Sequence, residues 1–349
     1  MASETAEIKV QIGGQPTPIK DVFEILTQAD KDQPDMATVT LTNVSGQHSG
    51  SVTPGDPLQI NAGSTVIFDG DIIGIEPIYD HELPSRVTVR ALNRLHRLAR
   101  GRKSRSFVDT NDQKIVRSIC TPVGLSPNFD DASKIPLDQI FQHNQTDLEF
   151  IRQRASRLDC EVWVEGKQLY FLKRRTRNDS GLNLEFRKTG GGNLIRFRPR
   201  LSTSAQVSKV ICRGWDAGKK KEIVGIATPQ ADLGGKHGAA VAEQQFGAVE
   251  TLEVGRPIYT QEEADAMANA LLKERLMNFI TGEAVCHGLP SVKAGSVVNI
   301  DVPDSRFKGK YYVAGVSHRY IYPSAESNGA SNLERGYKTI LRLQRDAES

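Results

Sequence analysis

Short segments in which apolar and polar residues alternate occupy both ends of this chain. In the first, Ile8, Val10 and Ile12 alternate with Lys9 and Gln11. A side-chain period of two is typical of a strand with one buried face. Further segments that favour strands are Thr38–Thr42, Pro57–Ala62, Thr65–Asp69, Arg86–Ala91, Ser208–Arg213, Glu222–Ile226, Glu283–His287, Ser296–Val302, Lys310–Tyr322 and Tyr337–Gln344. Strands at this spacing predict a mainly β protein built from small barrels or sandwiches.

The middle of the chain has a different pattern. Thr146 and Glu149 have the spacing of a capping box, in which the two side chains satisfy free amides at a helix start. The apolar residues of the following segment then recur at helical spacing, at Leu148, Ile151, Ala155 and Leu158. A hairpin comes next, with Glu161–Val164 and Gln168–Leu172 as its strands. This stretch therefore predicts a small α/β module.

A second helix is predicted in the C-terminal half. Thr260 and Glu263 form another capping-box pattern, and the apolar spacing predicts a helix over residues 260–279. Residues 228–255 are rich in Gly and Ala and are expected to form a long loop. Gly190-Gly191-Gly192 is expected to be a linker or wide turn.

These patterns divide the 349 residues into three units. We expect a first β-barrel domain at 1–100, an α/β module at 101–185 and a second β-barrel domain at 186–349. The second barrel would contain the one long helix and the long loop. The fold class is thus mainly β with an α+β module between two β-barrel domains.

Composition excludes several classes of protein. The formal net charge is only +3, which by itself does not indicate a nucleic-acid-binding protein. The four cysteines lie far apart, so a zinc ribbon is not predicted and buried free thiols are the expected state. The N-terminus lacks the apolar core of a signal peptide, and no window has the roughly 18 apolar residues of a membrane span. We therefore expect a protein made in the bacterial cytoplasm, without a membrane anchor.

Several motifs, in a fixed order along the chain, resemble those of a known family. The run Gln142–Ile151 resembles the helix start "Q-x-x-x-T/S-D-x-x-F-I/L", with Gln153 where the family has a basic residue. Pro290–Val298 is similar to "P-x-L/V-x-x-G-x-x-V", and Phe307–His318 to "F-x-G-x-Y-Y-V-x-x-V-x-H". The hairpin after the first helix and the helix that begins at Thr260 fit the same order. These motifs resemble the phage late control gene D family, which also supplies the N-terminal half of VgrG proteins in type VI secretion.

The resemblance implies a structural baseplate hub of a phage tail or contractile injection system. It implies a homotrimer that acts as a symmetry adaptor, because three chains with two barrels each would present six barrels. The implied partners are a hexameric inner tube protein, a trimeric spike, other baseplate proteins and a cargo in the channel. VgrG proteins continue into an oligosaccharide-binding-type domain and a needle, which are not found here, so the spike is expected to be a separate protein.

Catalytic motifs are lacking in the sequence. HExxH, GxSxG and GxxxxGK[ST] do not occur. His318 is expected either to pack within a strand or to serve as a polar surface residue there, and adjacent Cys286 and His287 would point to opposite faces. The acid pairs are expected to stabilise turns; they are Asp69/Asp71, Asp130/Asp131 and Asp301/Asp304. We therefore predict no enzyme activity and no cofactor or metal site.

Basic residues concentrate in three clusters, which are the candidate interface. The clustered residues are Arg94, Arg97, Arg100, Arg102, Lys103, Arg105, Lys173, Arg174, Arg175, Arg177, Lys219, Lys220 and Lys221. Solvated linkers between domains, a subunit or baseplate interface, and a nucleic-acid surface would each account for them. No aromatic platform accompanies the clusters.

Two other functions compete with the hub. A nucleic-acid-binding β-barrel protein would use the basic clusters and show salt-dependent retention on DNA. A cell-wall hydrolase would clear a suspension of cell walls, although no acid pair in a helical lysozyme-like segment or metal motif favours it.

Overall fold

The computed structural model describes residues 7–31, 33–81, 84–173, 179–188, 191–216, 218–255, 257–322 and 336–349. Within them the chain is mainly β, and its helices lie in the middle and in the second half. Residues Arg174, Arg175, Arg177 and Gly190, which belong to sequence predictions above, lie outside these ranges.

The first segment is entirely β apart from short 3-10 turns. Its strands are β1 Ile8–Ile12, β2 Gln15–Thr17, β3 Val22–Asp30, β4 Gln33–Thr42, β5 Pro57–Ala62, β6 Thr65–Ile78 and β7 Arg86–Leu92. The buried positions alternate along β1, β5 and β7, which confirms the period-two prediction there.

The middle segment alternates strands with helices, as predicted. Its elements are β8 Lys103–Thr110, α1 Asp112–Cys120, β9 Ser126–Phe129, β10 Leu137–Gln145, α2 Asp147–Arg157, β11 Cys160–Glu165 and β12 Gln168–Lys173. The capping box at α2 is complete: the Thr146 hydroxyl accepts from the Glu149 amide, and the Glu149 carboxylate accepts from the Thr146 amide. Strands β8 and β10 form a separate two-stranded ribbon, and β11, β12 and β9 form a three-stranded sheet.

The last segment returns to β structure around two helices. Its elements are β13 Asp179–Glu185, β14 Leu194–Leu201, β15 Lys209–Asp216, β16 Lys221–Ala227, α3 Gly238–Phe246, β17 Glu250–Glu253, α4 Gln261–Leu276, β18 Ile280–His287, β19 Val297–Asp301, β20 Gly309–Ile321 and β21 Gly336–Arg345. The predicted helix at 260–279 is confirmed as α4, which ends three residues earlier.

One continuous sheet joins the two β-rich ends of the chain. Its hydrogen-bonded order is β14-β18-β21-β20-β3-β4-β7-β6-β5-β1-β2, with β13 and β19 attached beside β20. The ends meet where β20 pairs antiparallel with β3, over Gly315–Ile321 and Glu24–Asp30. In the described ranges this order does not close on itself. The sequence predicted two separate barrels because alternation identifies strands but not the distant strands with which they pair.

The prediction of a long loop over residues 228–255 is wrong for part of this range. The range contains α3 and β17. His237 caps α3, since its ring nitrogen Nδ1 accepts from the Ala240 amide, and Gly247 ends the helix at a φ of +85°. Gly238 lets the helix approach the Phe279 ring, to within 2.3 Å of where a Cβ would lie. Such a contact between distant residues has no local sequence signal.

The sequence suggested a turn at Asp69-Gly70-Asp71, but the structure has no turn there. The segment lies inside the long strand β6. A glycine is required at position 70 because β7 approaches closely: a Cβ there would lie 2.3 Å from the Leu92 carbonyl oxygen on β7. The two aspartates are partners of arginines that lie beyond β7. By contrast, Asp130 and Asp304 do cap short 3-10 turns, as expected.

Candidate interaction surfaces

The first basic cluster begins with a contact between the first segment and the middle segment. Arg94 lies in a 3-10 turn that Asn93 caps, directly after β7. Its guanidinium donates to both carboxylate oxygens of Asp69, at 2.8 and 3.1 Å, and to the Gly166 carbonyl at 3.2 Å. The hydrogen bond to Asp69 raises the pKa of Arg94. Because Gly166 lies in the turn between β11 and β12, Arg94 ties the two segments together.

Asp71 forms the other half of this contact. Its carboxylate lies 3.1 Å from His96 Nε2 and accepts from Arg97 Nε at 2.8 Å, while Arg97 Nη1 donates to the Val123 carbonyl. Burial raises the pKa of Asp71, but hydrogen bonds from His96 and Arg97 outweigh it, so the pKa is lowered. We call Asp69, Asp71, Arg94, His96 and Arg97 the first junction. It holds the middle segment against the middle of β6.

The rest of the first cluster surrounds the start of α2. Lys103 Nζ and Arg105 Nη2 each donate to the Asp147 carboxylate, at 2.6 and 2.5 Å. Arg102 pairs with Glu149 at 3.3 Å. Acidic side chains stabilise the first turn of a helix, and the basic residues hold these acids in place. Most charges of the cluster therefore have partners within the chain.

The other predicted basic residues within the described ranges lie at the surface. Arg100 is exposed, and Lys173 lies 4.0 Å from Asp130. Lys219, Lys220 and Lys221 are exposed at the turn between β15 and β16, with Lys219 3.5 Å from Asp216. Whether any of these residues contacts a partner stays a prediction.

A buried ionic cluster joins the middle segment to α4, and sequence reasoning missed it. Arg154 donates to both Asp112 oxygens, at 2.7 and 3.1 Å, and Arg157 donates to Glu263 from Nε at 3.0 Å and from Nη2 at 2.5 Å. Arg154 Nη1 also lies 3.8 Å from Glu263, so the four side chains form one network. All four are buried. We call them the ionic core. In the sequence they resemble surface charges beside an apolar stripe, so no local signal identifies them.

A cavity of about 370 Å³ lies where the three segments meet. Thr27 and Asp35 line it from the first segment, Trp163 from the middle segment, and Lys293 and His318 from the last segment. Burial raises the pKa of Asp35 to about 7. His318 confirms the predicted packing role: it is buried, and its Nδ1 lies 2.8 Å from the Tyr337 hydroxyl.

His318 makes the stability of the fold sensitive to acid. Burial lowers its pKa from 6.5 to about 4, so below pH 6.5 the unfolded chain gains a proton that the folded chain does not. The stabilisation is complete above pH 6.5 and is lost as pH falls toward 4. We expect the wild type to lose about 2 kcal/mol more than His318→Gln between pH 7 and pH 5, measured by urea unfolding. His81→Gln, at an exposed site, is the control, and equal losses in wild type and His318→Gln would contradict this assignment.

All four cysteines are free and buried, which confirms the sequence prediction. Burial raises the pKa of the Cys120 and Cys286 thiols to about 12. It also raises the pKa of the Cys160 thiol. His287 is exposed whereas Cys286 is buried, so the two do point apart.

Two surface features were missed by the sequence analysis. Arg196, Arg198 and Arg200 are exposed in alternation along β14, at one end of the large sheet. The alternation in Ile195–Arg200 could have revealed this row of arginines. The second feature is an exposed apolar face on the small sheet β16-β15-β17, where Trp215 and Leu252 lie at the surface.

Metal-binding and membrane-spanning features are lacking in the part of the chain that the structure covers. No group of three or more His, Cys, Asp or Glu side chains there could hold a metal ion. No helix within those ranges is long and apolar enough to cross a membrane.

Solved structures share this fold over nearly the whole chain. The 43 kDa tail protein of prophage MuSo2 from Shewanella oneidensis is 14% identical, with a TM-score of 0.70, and the match covers 97% of this chain and 98% of that one. A tail protein from Neisseria meningitidis MC58 is 12% identical, with a TM-score of 0.72 and coverage of 97% and 96%. An E. coli component of the type VI secretion system is 13% identical, with a TM-score of 0.57 and coverage of 97% and 77%. At these identities the likeness shows the fold alone.

Sequence comparison gives a family but no curated relative. No curated protein matches the chain. One family model, described as the Alg8 N-terminal domain, matches residues 30–321, which is well over half of the sequence. The chain therefore belongs to the Alg8 N-terminal domain family.

Proposed function

We propose that this chain is a structural baseplate hub of a phage tail or contractile injection system. In this proposal it is a homotrimer that joins a hexameric inner tube to a separate trimeric spike, beside other baseplate proteins and around a channel for cargo. Its relatives in function would be the late control gene D hubs and the N-terminal halves of VgrG proteins. The observation that carries the proposal is a tail-protein fold along nearly the entire chain.

The continuous sheet supports the symmetry-adaptor role. Strands β3 and β20 hold the two β-rich ends in a fixed antiparallel register. Each copy would thus present two β units in a constant relation, and three copies would present six. A threefold assembly of this kind would match the sixfold symmetry of a tube on one side and a trimeric spike on the other.

We also propose three units, at 1–100, 101–185 and 186–349, the outer two being tube-like. Separate hydrophobic clusters support this division: the buried residues of one lie within the first unit apart from Tyr337, and those of another lie within the module apart from Leu95 and Leu98. The first junction and the ionic core would fix the units in one arrangement. The exposed lysines at 219–221, with Arg100 and Lys173, would contact neighbouring baseplate proteins.

We propose that the protein has no enzymatic activity. The buried ion pairs of Glu263 with Arg154 and Arg157 connect two segments of the chain, which is a structural role. The function would then depend on shape-complementary surfaces and buried apolar area.

Co-purification tests the proposed hub role. The full chain, carrying an affinity tag, is expressed with the tube and spike proteins of the same gene cluster. We expect both partners to co-purify, with three copies of this chain for each spike trimer. A tube protein from an unrelated phage is the control and should not be retained. A chain that captures neither the tube nor the spike would contradict the proposal.

A further inference from the structure

The cavity between the three segments has the size and position of a small-ligand site. Its volume of about 370 Å³ falls in the range of roughly 300–1,000 Å³ that such sites occupy, and such sites often lie where separate units of a protein meet. Its lining includes Val66 and Glu165, which are exposed. The cavity therefore opens to the surface and can admit a molecule from solution.

One wall of the cavity is the inner face of the large sheet, which carries three polar side chains there. His318 pairs with Thr27 across β20 and β3, and Thr27 pairs with Ala37 across β3 and β4. Asp35 lies two residues from Ala37 in β4, so it is on the same face of the sheet. His318, Thr27 and Asp35 all line the cavity.

Thr27 gives this wall a hydrogen-bonding group that the fold does not use. The residue is only 2% exposed, and its hydroxyl has no hydrogen-bond partner among the described residues. Buried polar groups are nearly always paired, with protein, water or ligand. The hydroxyl therefore indicates that a polar group from outside the chain completes this wall.

The charges around the cavity favour a positively charged ligand. Three lining carboxylates already have cationic partners, and these ion pairs are Asp69 with Arg94, Asp30 with Arg342, and Glu165 with Lys293. Two more, Asp35 and Glu161, form no ion pair within the described ranges, whereas Lys31 is the one lining lysine without an ion pair there. Negative charge is thus in excess among the unpaired groups.

The two unpaired carboxylates have few groups that stabilise their charge. Glu161 accepts one hydrogen bond from the Tyr312 hydroxyl, at 2.5 Å. Burial raises the pKa of Asp35 to about 7, and a hydrogen bond from Asn93 and the charge of Arg152 only partly offset it. A cation that enters the cavity would stabilise the ionised form of Asp35, because an opposite charge nearby favours ionisation.

The other walls of the cavity are apolar and aromatic. Phe68, Val292 and Val316 line it and are buried. Trp163 also lines it, and its ring stacks on that of Tyr170 with the centroids 4.9 Å apart. Aromatic faces attract cations, and apolar walls accept a hydrocarbon chain.

We infer that this cavity binds an organic cation, namely an apolar body that ends in an ammonium or guanidinium group. The cationic group pairs with Asp35 and Glu161 and donates to the Thr27 hydroxyl, while the apolar body packs against Trp163 and Phe68. A free amine and a lysine or arginine side chain of another protein share this chemistry. The inference goes beyond the proposed hub role and does not depend on it.

Fluorescence of Trp163 tests the inference. The chain has two tryptophans, and Trp215 is exposed on the small sheet, so Trp215→Phe leaves Trp163 as the only one. The full chain with this substitution is titrated with hexylammonium at about pH 8, where Asp35 is mostly ionised. Hexan-1-ol and hexanoate carry the same hydrocarbon body with a neutral and a negative group. We expect a saturable change with hexylammonium and binding at least about tenfold tighter than that of either control ligand.

Isosteric substitutions identify the groups that bind the cation. Asp35→Asn and Glu161→Gln, each in the Trp215→Phe chain, should weaken hexylammonium binding by about tenfold, because each removes one negative charge from the cavity. Asp138→Asn, which removes an exposed carboxylate elsewhere, is the control and should leave binding unchanged. Circular dichroism of each variant shows that it is folded, and the comparison of the three ligands needs no substitution within the cavity.

The outcomes separate this inference from the proposed function. The inference is overturned if hexylammonium gives no saturable change, if hexan-1-ol or hexanoate binds as tightly, or if both folded variants bind like the control. The blocked amino acid N-acetyl-lysine methylamide distinguishes the sources of the cation. Its binding supports a protein side chain as the ligand, and its exclusion while hexylammonium binds supports a free amine. Failure of the tube and spike to co-purify would overturn the hub and leave this site in place.

Discussion

Replacing Glu263 with alanine is expected to lower the free energy of unfolding by about 3–5 kcal/mol. The Glu263 carboxylate accepts two hydrogen bonds from Arg157 and lies 3.8 Å from Arg154. It also accepts from the Tyr259 amide at the start of α4. Its removal would leave the buried Arg157 guanidinium without its counter-ion, which is costly because the interior cannot solvate the charge. Urea unfolding at neutral pH measures the change.

Glu262→Ala is the matched control for this prediction. Glu262 is the preceding residue in the same helix turn, but it is exposed. Its loss should change the free energy of unfolding by less than about 0.5 kcal/mol. If the two variants unfolded at the same urea concentration, the ionic core would not hold α4 against the middle segment.

Gly70→Ala is expected to destabilise the protein by about 3 kcal/mol or more. The new Cβ would lie 2.3 Å from the Leu92 carbonyl oxygen and 2.8 Å from the Phe68 ring. Relief of this clash would require β6 and β7 to separate next to Asp69 and Asp71, so the first junction should loosen as well. Thermal unfolding and limited proteolysis between the first and middle segments measure both effects.

Gly74→Ala, four residues further along β6, is the control. A Cβ there would have no neighbour within 4 Å, so the free energy of unfolding should change by less than about 1 kcal/mol. Equal destabilisation by the two substitutions would show that loss of glycine in β6, rather than the clash with Leu92, is responsible.

Local signals in the sequence predicted local structure well. The capping residues Thr146 and Thr260 mark the starts of α2 and α4, because a cap and its helix are neighbours in the chain. Alternation located most strands for the same reason. Asp69-Gly70-Asp71 shows the limit: its composition suggests a turn, but contact with Leu92, a residue distant in sequence, places it inside a strand.

Long-range pairing could not be predicted in the same way. The pairing of β20 with β3 joins residues about 290 positions apart, and no property of either strand alone specifies it. The basic cluster around Arg94 was identified as a candidate site, but its aspartate partners were assigned to a turn. Glu263 was identified only as a capping-box residue and Arg157 was not singled out, because the sequence around a buried ion pair does not differ from that around two surface charges.

Electron cryo-microscopy of the assembled baseplate tests the hub role most directly. The account predicts three copies of this chain in a ring between the tube and the spike. Density at that junction that fits another protein, or six copies of this chain in place of three, would contradict it.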